Sequence, residues 1–372
     1  MSRVVFIINS LTGGGAERIM ARLLSHSAQA SGGRELHLVL LDDEPSAYPV
    51  PTNVILHQLD TKGSMPGGLA ALWRVIGEIK PDICVSFLTR SNLLAILICR
   101  LKGIRCVISE RVNTSSHHPK SFSGYLARVL TWLGYRHANN VIAVSAGIAQ
   151  DLSDNYGVPP AQIAVIPNPV DGDFIRQRGA DPLPLDYARP LIVGMGRLVP
   201  NKNFALLIDA FARWGGSGSL VILGEGPLKQ ALETQIADLG LTGKVFLPGF
   251  ANNPFALIKA ADCYVLPSNG EGFPNGLVEA MCLGTPVIST NCHSGPAEIL
   301  DDRSYFEVGD VTDCKYGILV PTNEPDALAR ALATALAPGQ YDVLQRKSLA
   351  GAARYDLNAT IATYWRAIAG AK

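Results

Sequence analysis

The sequence has no long apolar run and no excess of charge of either sign. Its longest uncharged apolar run, residues 93–99, is far too short to span a bilayer. The apolar run before Asn9 fits a first strand better than a signal peptide. Lysine and arginine together number 32, as do aspartate and glutamate, so there is no general reason to expect nucleic-acid binding. We therefore expect a cytoplasmic protein with no nucleic-acid partner.

The spacing of cysteine and histidine is also unlike that of a metal site. The seven cysteines form no Cys-x-x-Cys pair and lie mostly in apolar runs, so we interpret them as buried, reduced thiols. His117 and His118 have no third ligand at metal spacing. Asp171-Gly172-Asp173 lacks a preceding strand and is interpreted as a turn. The sequence therefore predicts no metal site.

Apolar runs that alternate with helical patterns indicate the architecture. A chain of 372 residues, 48% of them hydrophobic, predicts about two domains, each with its own core. The apolar run at residues 4–8 is followed by Gly13, Gly14 and Gly15 and then by a helical pattern, which is the start of a Rossmann-like unit. Further strands and helices alternate in the same way, which predicts parallel, doubly wound sheets.

A second glycine-containing loop, at residues 267–276, joins a strand-like run to a helical pattern. The N-terminus of a helix attracts anions because its first N–H groups have no partner within the helix. Glu271 and Glu279 would lie about 12 Å apart if the segment were wholly helical, whereas a glycosidase acid pair needs about 5 to 9.5 Å. This pattern favours a long ligand that has phosphates between two hydroxyl-bearing ends.

Two cations follow another predicted strand, at residues 191–195. Arg197 comes after the glycine turn at Gly196, and Lys202 lies near the start of the next helical pattern. Arginine binds phosphate through its planar fork and lysine as a point charge. This pair therefore predicts a diphosphate site.

The stretch Glu271-Gly272-Phe273-Pro274-Asn275-Gly276-Leu277-Val278-Glu279 resembles the signature of retaining GT-B glycosyltransferases, in particular glycosyltransferase family 4 (glycosyl transferases group 1). The resemblance implies an α/β GT-B fold, in which two Rossmann-like domains face each other with their parallel sheets across a cleft. Together with composition, it implies an acceptor-binding domain at 1–170, a linker at 171–189, a nucleotide-sugar-binding domain at 190–352, and a helix at 353–372 that crosses back to the first domain.

The resemblance also implies roles for single residues. Glu271 would contact the donor hexose, Glu279 would hold the ribose, and Arg197 with Lys202 would neutralise the leaving diphosphate. The other donor-binding residues would be Gly14, Gly15, Gly196, Gly224, Gly226, Pro248, Gly249, Phe273, Pro274, Asn275, Gly276 and Leu277. Weaker acceptor candidates are Glu17, Arg18, Glu110 and Arg111. Many family members carry a histidine in this region that touches the donor sugar. Whether Glu110, His117 or His118 takes that place here stays open.

The activity that follows is a retaining, metal-independent hexosyl transfer in the assembly of bacterial surface polysaccharide or other glycans. The donor would be a nucleotide-diphosphate sugar that carries a hexose or N-acetylhexosamine, a UDP-sugar being favoured and GDP-mannose the alternative. This donor is a co-substrate, and we expect no resident cofactor. Release of free nucleotide only when acceptor is added would distinguish a transferase from a sugar-nucleotide epimerase of the same fold.

Two further alternatives stay open. An NAD-dependent oxidoreductase is favoured by Gly13 to Gly15 and by Asp42 after the second strand, although Arg18 stands where the dinucleotide fingerprint needs glycine. It does not explain Lys202 or Glu279. A non-catalytic nucleotide-binding module would bind its nucleotide without turnover.

The neutral total charge conceals a basic segment at residues 84–137, in which Glu110 is the only acid. The apolar spacing between residues 122 and 133 predicts a helix whose core face carries Phe122, Tyr125, Leu126, Val129, Leu130 and Leu133. Another face carries Arg128, Trp132, Tyr135 and Arg136. Cations beside tryptophan and tyrosine are typical of a contact with an anionic membrane. We therefore predict peripheral binding at the inner face of the cytoplasmic membrane and a lipid-linked acceptor.

Overall fold

The computed structural model describes residues 2–27, 31–111, 122–183 and 187–370. The chain divides into a first unit, Met1–Pro169 with Leu357–Lys372, and a second unit, Val170–Asp356. His117 and His118 lie outside the described residues. In each unit, parallel strands alternate with helices along the chain.

Within its described residues, the first unit holds a seven-stranded parallel sheet with the strand order β3-β2-β1-β4-β5-β6-β7. Its strands are β1 Arg3–Ile8, β2 Glu35–Leu40, β3 Val54–Gln58, β4 Ile83–Phe87, β5 Arg105–Glu110, β6 Asn140–Ala143 and β7 Ile163–Val165. Its helices, apart from one at the C-terminus, are α1 Gly15–Ser25, α2 Met65–Ile79, α3 Thr89–Lys102, α4 Phe122–Gly134 and α5 Ala146–Tyr156.

The central strands of this sheet are covered on both faces, which explains their continuous apolar sequences. Every residue from Val4 to Ile8 is fully buried. The edge strand β3 differs, because Ile55 and Leu56 are exposed and its sequence shows neither a buried run nor a clean alternation. For this reason β3 was not predicted from the sequence.

The second unit repeats the arrangement in its described residues, with the strand order β10-β9-β8-β11-β12-β14-β13. Only the short edge strand β13 is antiparallel there, against β14. The strands are β8 Leu191–Met195, β9 Ser219–Leu223, β10 Val245–Gly249, β11 Cys263–Leu266, β12 Val287–Thr290, β13 Thr312–Asp313 and β14 Ile318–Val320. The helices are α6 Gly172–Gly179, α7 Phe204–Trp214, α8 Lys229–Asp238, α9 Phe255–Ala260, α10 Asn275–Cys282, α11 Pro296–Asp301, α12 Pro325–Ala335 and α13 Gln340–Ala352.

The terminal helix α14, Leu357–Ala369, belongs to the first unit. Trp365 meets Phe6 of β1 edge-to-face, with ring centroids 5.7 Å apart. Arg105 Nε donates to the carbonyl of Ile368 over 3.3 Å. The helix thus contributes to the core around β1, although it lies at the other end of the sequence.

Three segments differ from the elements expected of them. Residues 172–179, within the predicted linker, form α6, and the carboxylate of Asp171 caps this helix by accepting the N–H of Phe174 over 3.0 Å. The interpretation of Asp171 to Asp173 as a simple turn was therefore wrong. Helices α11 and α13 were not predicted.

The prediction that the cysteines are buried is confirmed. All seven are buried free thiols, distributed between the two units. Among the residues that the structure describes, no helix combines the length and the apolar character needed to cross a bilayer.

Candidate active site

The second unit brings Lys202 and Glu271 together at the carboxyl ends of neighbouring strands. Lys202 ends the short 3₁₀ turn after β8, and Glu271 lies in the loop after β11, which pairs with β8. Lys202 Nζ donates to Glu271 Oε1 over 2.5 Å. Ser268 Oγ donates to the same oxygen over 2.6 Å. With side chains 25% and 8% exposed, the pair is only weakly screened by solvent.

Glu279 lies near this pair although it comes from the helix α10. Its side chain is buried, 2% exposed. Burial raises the pKa of the Tyr264 phenol, and the negative charges of Glu279 and Glu271 raise it further. Since both carboxylates act on one fully buried phenol, they face a common region of the second unit. Tyr264 had no role in the sequence-based interpretation, because it lies inside an apolar strand.

Two of the predicted glycines are required by packing within the protein. A Cβ at Gly276, in the first turn of α10, would lie 2.6 Å from the hydroxyl of Tyr264. Gly224 has a φ of +139°, and a Cβ there would lie 1.9 Å from the carbonyl oxygen of Gly196. The loops after β8 and β9 therefore approach each other more closely than any side chain would allow.

The other predicted donor residues differ in exposure. Arg197 and Pro248 are exposed, and Asn275 is half-buried at the start of α10. Phe273 is buried and meets Tyr355 edge-to-face at 5.2 Å. The side chains of Pro274 and Leu277 are also buried, as is Gly249, whereas Gly226 is half-buried against the backbone of Leu198. Phe273 and Leu277 can therefore meet a ligand mainly through backbone atoms.

Cys292, in the loop after β12, is a buried neighbour of this site that sequence reasoning missed. Burial raises the pKa of its thiol to about 12, and the charge of Glu271 contributes in the same direction. Gly295 in the same loop has a φ of +94°, and a Cβ there would lie 2.7 Å from Pro274 Cδ. The thiol is therefore neutral at physiological pH, and the loop supports the segment that carries Glu271.

In the first unit, Gly13 to Arg18 form a glycine loop and the first turn of α1. Gly14 is the N-cap of this helix. A Cβ at Gly14 would lie 2.2 Å from Glu17 Oε2, so the Glu17 carboxylate folds over the glycine. The Glu17 carboxylate thus occupies the place at the helix N-terminus where a phosphate would bind. The loop therefore suits ligand hydroxyls better than the donor phosphates that Gly14 and Gly15 were predicted to contact.

Glu110 and Arg111, the other acceptor candidates, are engaged by residues of the first unit. Their side chains are buried, and Tyr135 donates to Glu110 Oε2 over 2.6 Å. Arg111 donates to the hydroxyl of Tyr364 over 2.7 Å and to Asn168 Oδ1. These residues tie α14 and the segment after β7 to the end of β5. An acceptor would have to displace these partners, so the contacts favour a structural role over the predicted acceptor role.

Asp42, the main support for an NAD-dependent enzyme, is engaged within the first unit. Arg90 donates to its Oδ2 over 2.6 Å, and Thr61 and the N–H of Gly63 donate to its Oδ1 over 2.8 and 3.0 Å. Burial alone would raise the pKa of Asp42, but these hydrogen bonds lower it. A ribose would have to displace these donors, which weakens the oxidoreductase alternative.

The predicted faces of α4 were wrong in two respects. Tyr135 lies in the 3₁₀ turn Tyr135–His137 that follows α4 and is fully buried, so it is not part of a membrane-facing surface. Conversely, Tyr125, Leu130 and Leu133, which were predicted to face the core, are exposed, as is Trp132. The helical spacing was correct, but the inward side is determined by packing on α3.

Comparison with known proteins agrees with this arrangement. The family model for glycosyl transferases group 1 matches residues 178–353, and that for glycosyltransferase family 4 matches residues 13–174. An N-acetylgalactosamine-N,N'-diacetylbacillosaminyl-diphospho-undecaprenol 4-alpha-N-acetylgalactosaminyltransferase from Campylobacter jejuni is 31% identical over 348 residues, which cover 90% of each chain. A UDP-Gal:alpha-D-GlcNAc-diphosphoundecaprenol alpha-1,3-galactosyltransferase from Escherichia coli is 27% identical over 78% of this chain and 75% of its own.

A similar fold occurs in the Anabaena protein HepE, whose structure was solved in complex with UDP. The TM-score is 0.78 at 19% identity, over 99% of this chain and 100% of that one. Two Rossmann-like units of this kind form the GT-B fold, and the protein is a hexosyltransferase of that class. The chain belongs to glycosyltransferase family 4, the glycosyl transferases group 1.

Proposed function

We propose that the protein transfers a hexose or N-acetylhexosamine from a UDP-sugar to a lipid-linked glycan acceptor, with retention of anomeric configuration. The observation that carries this proposal is the Lys202–Glu271 pair, 2.5 Å apart, in the same region as the buried Glu279. The Campylobacter and E. coli relatives are named for diphospho-undecaprenol acceptors, and HepE was solved with UDP. These names favour a UDP-sugar over GDP-mannose.

The chemistry assigned to Lys202 follows from its three N–H donors. One of them binds Glu271, which leaves the others for phosphate oxygens of the donor. As the sugar departs, negative charge grows on the diphosphate, where preorganised donors have their largest effect. The exposed Arg197 and the N-terminus of α10 would contribute further positive potential. Protein cations then do the work that a metal ion does in other transferases.

Glu271 and Glu279 would act at the two ends of the donor. Carboxylates accept hydrogen bonds from hydroxyls, so Glu271, beside Lys202, would position the hexose and stabilise positive charge on its anomeric carbon. Glu279, on the helix α10, would hold the ribose. With both ends held, the anomeric carbon is kept beside the acceptor during transfer.

Conservative substitutions should distinguish the two carboxylates. We expect Glu279→Gln to weaken binding of both UDP and uridine about tenfold, because a neutral amide accepts a ribose hydroxyl less strongly than a carboxylate. Glu271→Gln should change neither affinity by more than about twofold but should impair binding or transfer of the sugar. Calorimetric titration measures all four affinities. Equal losses of UDP affinity in the two variants would contradict this division.

A thermal-shift series with UDP, GDP, ADP and NAD tests the donor class. We expect UDP to raise the melting temperature most, because a ligand that binds only the folded state stabilises it. A larger shift with GDP would favour GDP-mannose, and a larger shift with NAD would favour an oxidoreductase. Nucleotide release that depends on added acceptor would favour the transferase over the epimerase.

We propose that a surface of the first unit binds the membrane that carries the lipid-linked acceptor. We define the α4 surface as Tyr125, Arg128, Leu130, Trp132 and Leu133 of α4 together with Arg136 of the following 3₁₀ turn. The Arg136 guanidinium lies 4.4 Å from the centroid of the Trp132 ring, and Trp132 is 43% exposed. The neighbouring helix α3 adds exposed Leu97, Arg100 and Leu101. Exposed aromatic and aliphatic groups beside cations suit the interface of an anionic membrane, where the protein would be peripheral on the cytoplasmic side.

Flotation with liposomes tests this surface. Each basic residue near an anionic membrane contributes about 1 kcal/mol, so the double variant Arg128→Glu, Arg136→Glu should lower the partition coefficient at least about thirtyfold. Binding should require anionic lipid and weaken with salt. The control is Lys244→Glu, Arg346→Glu, which makes the same charge change at exposed positions of the second unit. Equal recovery of both correctly folded variants with anionic vesicles would refute the proposal.

A further inference from the structure

The residues on either side of Lys202 bind the loop that carries Glu271. Asn201 Nδ2 donates to the carbonyl of Gly270 over 2.6 Å, and the carbonyl of Asn201 accepts the N–H of Asn269 over 2.8 Å. The Lys202–Glu271 contact lies directly beside these two bonds. The ion pair is therefore one of a set of contacts between two short loops at the ends of β8 and β11.

Asn203 completes this set in an unusual conformation. It has a left-handed backbone, with φ 49° and ψ 43°, and is the N-cap of α7 without a capping hydrogen bond from its side chain. The side chain instead donates to Asn269 Oδ1 over 3.2 Å and to Asn323 Oδ1, in the loop after β14, over 3.0 Å. Three strand-end loops of the second unit thus meet at one amide.

This geometry is unfavourable for the helix considered alone. Asparagine is among the best N-cap residues because its side chain usually accepts an N–H of the first helical turn. At this position that cap is given up, because Asn203 also ends the 3₁₀ turn Pro200–Lys202, where a left-handed asparagine is common and its N–H donates to the carbonyl of Pro200. The left-handed backbone directs the amide of Asn203 towards the loop of Glu271 and away from α7.

We propose that Asn203, together with Asn201, is a positioning residue that fixes Lys202 Nζ for the donor diphosphate. The inference rests on the proposed function in one respect, the contact between Lys202 and the diphosphate. A lysine side chain has many rotamers, and ordering it costs entropy when the ligand arrives. Holding the backbone on both sides of Lys202 and anchoring Glu271 reduces that cost before the donor binds.

Asn203→Gly is the decisive variant, because glycine adopts the left-handed backbone without strain and removes only the amide. We expect the N–H groups of residues 269–271 to exchange with deuterium about five- to tenfold faster in the ligand-free variant. The dissociation constant for UDP should rise about fivefold, whereas that for uridine, which has no phosphate, should stay within about twofold. In a Lys202→Ala background, Asn203→Gly should change the UDP constant by less than about twofold. Asn253→Ala is the control, since its amide binds Arg178 and Asp181.

Unchanged exchange in Asn203→Gly would overturn the inference whatever the donor is. Faster exchange with equal losses of affinity for UDP and uridine would also overturn it. That result would show that Asn203 holds the loop of residues 269–271 but does not position Lys202 for the diphosphate. A fivefold loss of UDP affinity that persists in the Lys202→Ala background would overturn the inference too, because the effect of Asn203 would then not depend on Lys202. If the wild-type protein binds GDP and not UDP, only the proposed UDP-sugar donor is refuted. The positioning role of Asn203 is then tested with GDP and guanosine in place of UDP and uridine.

Discussion

Lys202→Ala is expected to lower the turnover number about a hundredfold or more, the loss typical of removing one donor that stabilises a transition state. The substitution removes the ammonium group that lies 2.5 Å from Glu271. In the proposed mechanism this same group stabilises the negative charge on the leaving diphosphate. Arg197→Ala should also reduce turnover. The measurement is UDP release from a UDP-sugar with a bacterial membrane lipid extract as the source of acceptor.

Two controls accompany this experiment. Lys244→Ala removes an exposed lysine of the second unit and should leave turnover unchanged. Incubation with EDTA should also have no effect, because protein cations are proposed to balance the diphosphate. Full activity in Lys202→Ala, or loss of activity with the chelator, would refute the proposed role.

The second large effect concerns stability. We expect Arg111→Ala to lower the free energy of unfolding by about 3 kcal/mol, because hydrogen bonds to a charged group contribute about 1.5 to 3 kcal/mol each and Tyr364 and Asn168 lose theirs. The substitution also removes the cation–π contact of the guanidinium with Phe87, whose ring centroid lies 4.9 Å away. Urea denaturation, followed through the change in midpoint, measures the difference.

Arg100→Ala is the matched control, since Arg100 is an exposed arginine of the same unit and should change stability by less than about 0.5 kcal/mol. Arg111→Lys should recover only part of the loss, because lysine keeps the charge but not the planar fork. A destabilisation as small as that of Arg100→Ala would show that the buried contacts of Arg111 do not hold α14 in place. Greater sensitivity of α14 to proteolysis should accompany the loss.

The contact between Lys202 and Glu271 in the second unit has a topological reason. Lys202 and Glu271 are 69 positions apart, yet β8 and β11 are neighbours in the sheet. Loops that follow the carboxyl ends of parallel strands meet at one edge, so motifs that each follow a strand are brought together. The apolar runs predicted the strands for a similar reason, since parallel strands are buried on both faces.

The asparagines around Lys202 show the limit of such reasoning. Asn201 and Asn203 flank the predicted cation, but their sequence does not show that Asn203 would adopt a left-handed backbone and leave α7 uncapped. Their hydrogen-bond partners Asn269 and Asn323 come from loops of other strands. Partners so distant in sequence are determined only when the sheet has formed.

What the sequence alone determined is therefore most of the alternating strands and helices, the family and the residue types of the candidate site. The tertiary structure decided which way side chains face. Helical spacing identified α4, but packing on α3 buried Tyr135 and exposed Tyr125 and Leu133. Likewise, Glu110 and Arg111 lie at the end of a strand, but Tyr135 binds the first and Tyr364 of α14 binds the second, and both are buried. The physical reason is that periodicity defines the faces of an element, whereas burial depends on neighbours that are distant in the chain.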